Sequence, residues 1–80
     1  MTRKRYIKLL MACGYGRNDA KDFARCAREI LCCSYRADAE LWERVYRDMA
    51  LYTRSEFVRG LRLTRANIFR RALYGEVAHE

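Results

Sequence analysis

The sequence predicts an all-α fold, a small bundle of four to five helices whose last two would form a C-terminal helix-turn-helix. Two observations carry that expectation. The 80 residues include no proline and only four glycines, at positions 14, 16, 60 and 75. Ala, Leu, Arg and Glu, all good helix formers, are abundant, and no run alternates Val, Ile or Thr with polar residues as a half-buried strand would. The length suits one domain over 1–80. Its core is marginal, because a chain this small buries only roughly 60% of its unfolded surface. Dimerisation is a common remedy, so a homodimer is an open option.

Thr2 is placed to cap a first helix reaching about Cys13, with Tyr6, Leu9, Leu10 and Cys13 on one face and Gly14 as a left-handed stop. Arg3, Lys4 and Arg5 occupy its first turn, at the positive end of the helix dipole, which costs ~0.3–1 kcal/mol per charge. An anionic partner would offset that cost; a frayed, solvated terminus would avoid it. Tyr15–Arg17 form a turn. Asn18 then caps a second helix, with Asp19 and Asp22 where the dipole favours acids, running to about Cys33. Its expected buried stripe is Ala20, Phe23, Ala27, Ile30 and Leu31, with the alanines allowing close approach to the first helix.

A third helix is expected over roughly 37–52, with Leu41, Trp42, Val45, Tyr46, Met49 and Tyr52 at the centre of the core. Glu40→Arg44 and Glu43→Arg47 pair at i,i+4 on its outer face. Thr53-Arg54-Ser55-Glu56 reads as a capping box, and Tyr52 and Phe57 as its hydrophobic staple. Beyond it two readings stay open. One unbroken helix aligns Phe57, Leu61, Ile68 and Ala72 but places Arg65 among them. A turn near Gly60–Leu63 instead makes Thr64 a new cap and frees Arg65, and is the favoured reading. Gly75 ends the last helix and 76–80 is tail.

The break would give a helix-turn-helix, whose second helix enters the major groove. The exposed candidates there are Arg62, Arg65, Asn67, Arg70 and Arg71; arginine and asparagine read guanine and adenine bidentately. Charge supports a binding role. Arg3, Lys4, Arg5 and Lys8 open the chain without an acid, and Arg54, Arg59, Arg62, Arg65, Arg70 and Arg71 stand against Glu56 alone in 53–71. The intervening 18–52 is close to balanced, with six basic and seven acidic residues. Clustered like charges destabilise a compact state, so two cationic ends point to an anionic partner: DNA or RNA, a host protein or a ribonucleoprotein. Fourteen of the seventeen cations are arginine, suited to phosphate and carboxylate. The candidate binding residues are therefore Arg3, Lys4, Arg5, Lys8, Arg59, Arg62, Arg65, Asn67, Arg70 and Arg71.

Other chemistry finds little support. No Ser/His/Asp or Cys/His set, phosphate-cradling glycine loop or apolar carboxylate pair suggests an enzyme or a cofactor. Cys13, Cys26, Cys32 and Cys33 lack zinc-ligand spacing, and His79 is the only histidine. Cys26 and Cys33 share the expected buried side of the second helix. Cys32 faces away with Arg25, Arg28 and Arg36, cations that favour a reactive or crosslinking thiol, and an inert surface cysteine is the alternative reading. No stretch approaches the ~20 apolar residues that cross a bilayer. The segment Tyr6–Cys13, interrupted by Lys8, is too short and polar for a secretory signal. The expected location is the cytoplasm, away from membranes.

Two stretches carry resemblances. Leu63-Thr64-Arg65-Ala66-Asn67-Ile68-Phe69-Arg70-Arg71-Ala72-Leu73-Tyr74-Gly75-Glu76 resembles the recognition-helix end of small antitoxin-type repressors, which implies DNA binding. The opening Met1–Ala12, with Gly14-Tyr15 and Arg17-Asn18-Asp19-Ala20, is similar to short helical proteins of phages and prophages. That resemblance implies a regulator or an inhibitor of host machinery, inhibitors of CRISPR effectors among them, working in the host cytoplasm. In an inhibitor, Tyr6, Tyr15, Tyr35, Tyr46, Tyr52 and Tyr74 would serve as anchors beside the arginines.

Overall fold

A computed structural model describes residues 1–75. All regular structure among them is helical, as the sequence predicts: α1 (Arg3–Ala12), α2 (Arg17–Arg25) continued by a π-helical segment (Cys26–Ile30), α3 (Tyr35–Tyr52) and α4 (Glu56–Tyr74). The chain clusters into two compact units, Met1–Ala39 and Glu40–Glu80. His79 and the expected tail lie outside the described residues.

In the first unit, Thr2 caps α1 by accepting the Arg5 amide at 3.2 Å. Gly14, at φ 105°, turns the chain out of α1 in the left-handed region. The amide of Gly14 reaches the Met11 carbonyl at 3.0 Å and that of Tyr15 reaches Leu10 at 3.1 Å, the two bonds of a Schellman closure. Tyr6, Ile7, Leu9, Leu10 and Cys13 are buried. They pack on Ala20, Ala24 and Ala27, whose small side chains let α2 come close.

α2 departs from expectation at both ends. Gly16, rather than Asn18, is the N-cap, so Asp19 sits within the first turn. After Arg25 the ladder widens to i→i+5 bonds, seen where the Leu31 amide reaches Cys26 at 2.9 Å. The extra residue per turn shifts the phase of the apolar pattern. Ile30 and Leu31, expected inside, are therefore exposed, and Phe23 is only partly covered, edge-on to Tyr15. The helix closes through Cys32 at φ 53°, with the Cys33 amide on the Ala27 carbonyl at 2.8 Å. Of the thiols, Cys13 is buried, Cys26 and Cys33 are half-buried rather than enclosed, and Cys32 is exposed; all four are free.

Ser34 starts α3 two residues earlier than expected, its hydroxyl accepting the Ala37 amide at 3.0 Å. The first turn of α3 closes the core of the unit. Buried Asp38 accepts a hydrogen bond from the Tyr6 hydroxyl, and the Tyr35 ring lies 5.3 Å from the Tyr6 ring, tilted by 30°.

In the second unit, α3 and α4 meet through long side chains. Trp42 stacks on Phe69 at 6.0 Å with rings 2° from parallel, and Tyr46 lies 5.7 Å from Trp42 and 6.3 Å from Phe69. Ala50, Ala66 and Leu73 complete the buried set. Leu41, Val45, Met49 and Tyr52, expected in the core, are exposed, because the face of α3 toward α4 is the one bearing Trp42, Tyr46 and Ala50. The Glu43–Arg47 pair forms at 2.8 Å.

The chain also corrects the reading of 53–74. Ser55, not Thr53, is the N-cap, accepting the Val58 amide at 3.3 Å. Both residues of the expected staple, Tyr52 and Phe57, are exposed. No turn interrupts Gly60–Leu63; α4 is one helix to Tyr74, so the expected helix-turn-helix does not form. Thr64 bonds back to the Gly60 carbonyl at 2.8 Å instead of capping a new helix. The continuous helix leaves Leu63 partly exposed and accommodates Arg65 by laying its guanidinium over the Tyr46 ring, 5.8 Å from the centroid. Gly75 caps the end, as predicted.

Candidate nucleic-acid interface

The predicted cations of α1 stand beside cations of α2 that the sequence reading left out. A cleft of about 510 Å³ is lined by Arg3, Lys4, Ile7, Lys8, Met11, Arg17 and Lys21. A second, of about 260 Å³, is lined by Arg3, Lys21, Asp22, Arg25, Arg28, Glu29 and Tyr35. Arg3 and Lys21 wall both, so the two form one continuous groove. Lys8 and Met11 share it with the start of α2, while Arg3 shares it with the π-helical end, so α1 and α2 run antiparallel along its length.

Seven cations face two carboxylates in this groove. Asp22 is engaged with Arg25 at 3.5 Å, in an exposed pair worth little in water. Arg3, Lys4, Lys8, Arg17 and Lys21 have no ion-pair partner among the described residues. The first turn of α1 holds no acid, so the positive end of its dipole adds to the field of Arg3 and Lys4. At the other end, Tyr35 is held between the Tyr6 ring and the Arg28 guanidinium, which lies 5.6 Å from its centroid. Such a groove can seat a chain of anionic groups along its floor, with the apolar stems of Ile7 and Met11 beneath.

The signal for the α2 cations was present. Residues 17, 21, 25 and 28 are spaced four, four and three apart, one stripe of a helix. Asp19, Asp22 and Glu29 masked it by balancing the segment's net charge, Asp22 and Glu29 from within the groove itself.

The α4 candidates are divided. Arg59 donates from Nε to the Ala50 carbonyl at 3.2 Å and from Nη2 to the Thr53 carbonyl at 2.8 Å. Arg62 donates to the Met49 carbonyl at 3.2 Å. Both therefore cap the C-terminal end of α3. Arg65 lies over Tyr46, and Asn67 accepts from Arg47 at 3.3 Å. Arg70 and Arg71 are exposed without a partner among the described residues. Arg5 is exposed on α1 but lines neither cleft.

No protein family, curated protein or solved structure matches this chain. Among the described residues, no group of three or more His, Cys, Asp and Glu could hold a metal ion. No described helix is long and apolar enough to cross a membrane.

Proposed function

We propose that this protein binds the sugar–phosphate backbone of nucleic acid along the α1–α2 groove, as a regulator that carries out no reaction on it. The observation that carries this reading is the run of Arg3, Lys4, Lys8, Arg17 and Lys21 without internal carboxylate partners. Five cations held together against their own repulsion gain most from a ligand with closely spaced negative charges, and phosphate contacts position without reading bases.

Fluorescence anisotropy with labelled single-stranded and duplex oligonucleotides tests this. If all five cations neutralise phosphates, log affinity falls against log salt with a slope near −3.5 on single strands, or about −4.5 on duplex, from roughly 0.7 and 0.9 per phosphate. Lys8→Glu combined with Lys21→Glu should abolish binding and leave the helical circular-dichroism signal unchanged. Binding that ignores this double reversal, or a stoichiometric protein complex from host lysate with no affinity for free nucleic acid, refutes the reading.

A further inference from the structure

The second unit leaves a coherent apolar face uncovered on α3. Leu41, Val45 and Met49 recur every four residues and are 49%, 42% and 38% exposed. They lie beside, not within, the face that Trp42, Tyr46 and Ala50 turn toward α4. Arg44 and Asp48 flank the stripe on its other side; both are exposed, and neither has an ion-pair partner among the described residues. The expected Glu40–Arg44 pair is not made, although Glu43–Arg47 one position on is.

We infer that this face of α3 docks against the same face of a second copy, antiparallel about a two-fold axis at Val45. The spacing is self-complementary. With Val45 on the axis, Leu41 meets the partner's Met49 and Met49 meets the partner's Leu41, closing the stripe on itself as an isologous contact requires. The flank matches as well. Arg44 and Asp48 lie on one side of the stripe, and in an antiparallel pair that side meets its own copy. Arg44 then sits about two residues, roughly 3 Å along the axis, from the partner's Asp48. Each arginine lacking a partner in the single chain thereby gains a carboxylate, and each Asp48 gains a guanidinium.

Charge selects a second copy over the anionic ligand of the groove. The chain carries a net +7, which opposes self-association wherever cations cluster. Residues 40–52 are the exception, with Glu40, Glu43 and Asp48 against Arg44 and Arg47. The stripe itself carries no charge to attract phosphate. The dimer and the nucleic-acid groove use different residues and neither requires the other.

Sedimentation equilibrium of the full chain across a wide concentration range tests the proposal. The wild type should give a dimer mass that persists in high salt, because the contact is apolar at its centre. Val45→Asp should weaken dimerisation at least tenfold with helicity unchanged. R44D and D48R should each weaken it several-fold, and the double exchange R44D/D48R should restore it, even if Val45→Asp perturbs folding. A wild type that is monomeric throughout, or a Val45→Asp variant that stays dimeric, overturns the interface. Failure of the double exchange to restore association overturns its antiparallel register.

Discussion

Tyr6→Phe removes one hydroxyl from the middle of the first unit and nothing else. The ring of Tyr6 is fully buried and lies against Tyr35 at a 30° tilt, and its hydroxyl donates to the carboxylate of Asp38, itself 7% exposed. Phenylalanine keeps the ring and that contact but leaves the carboxylate without this donor. A buried hydrogen bond to a charged group contributes about 1.5–3 kcal/mol, and removing one partner incurs the desolvation of the other. A small domain unfolds in urea with a slope in the lower half of the roughly 1–3 kcal/mol per M range, about 1.5, so the midpoint should fall by about 1–2 M. Circular dichroism at increasing urea reads this directly. Asp38→Leu alone takes away this acceptor instead, while Tyr6→Phe with Asp38→Leu removes both ends of the bond. The double variant should be more stable than the sum of the two single losses predicts. A Tyr6→Phe midpoint within about 0.3 M of wild type would refute the claim that this contact holds α1 to the start of α3.

Two glycines should respond in opposite senses. Gly60 lies inside α4 with nothing within 4 Å of an added Cβ, so Gly60→Ala should raise stability by about 0.5–1 kcal/mol. Gly14 sits at φ 105°, so Gly14→Ala should lower it by about 1–2 kcal/mol, both measured by thermal denaturation. Ser55→Ala should cost about 0.5–2 kcal/mol as the loss of a helix cap, and Thr53→Ala much less; the reverse ranking would return the start of α4 to Thr53.

What the sequence disclosed and what it concealed divide along local and non-local physics. The fold class, the Thr2 cap, the Gly14 stop and the Gly75 terminator are decided within a few residues, and all were readable. The course of 60–64 was not. Thr64 has the chemistry of a cap, and Arg65 looks misplaced on an apolar face until Tyr46, nineteen positions earlier, is known to lie beneath it. The same holds for Arg59 and Arg62, whose acceptors belong to the end of α3. The widened turn at 26–30 carries no proline or glycine to announce it, yet it decides that Ile30 and Leu31 face outward. For the candidate groove, the α1 half was legible as a run of charge. The α2 half needed the helical spacing of its cations to be weighed separately from the acids among them.

The connection between α3 and α4 contains no glycine, and the carbonyls that a left-handed residue would usually help to satisfy are met by guanidinium groups from further along the chain. Fraying at either helix end therefore cannot be a private event. Releasing the first two turns of α4 would strip Met49, Ala50 and Thr53 of their donors, so the corner opens or holds as a unit. An arginine-rich segment that looked from its composition like a docking strip is, over these residues, a clasp that the protein closes on itself.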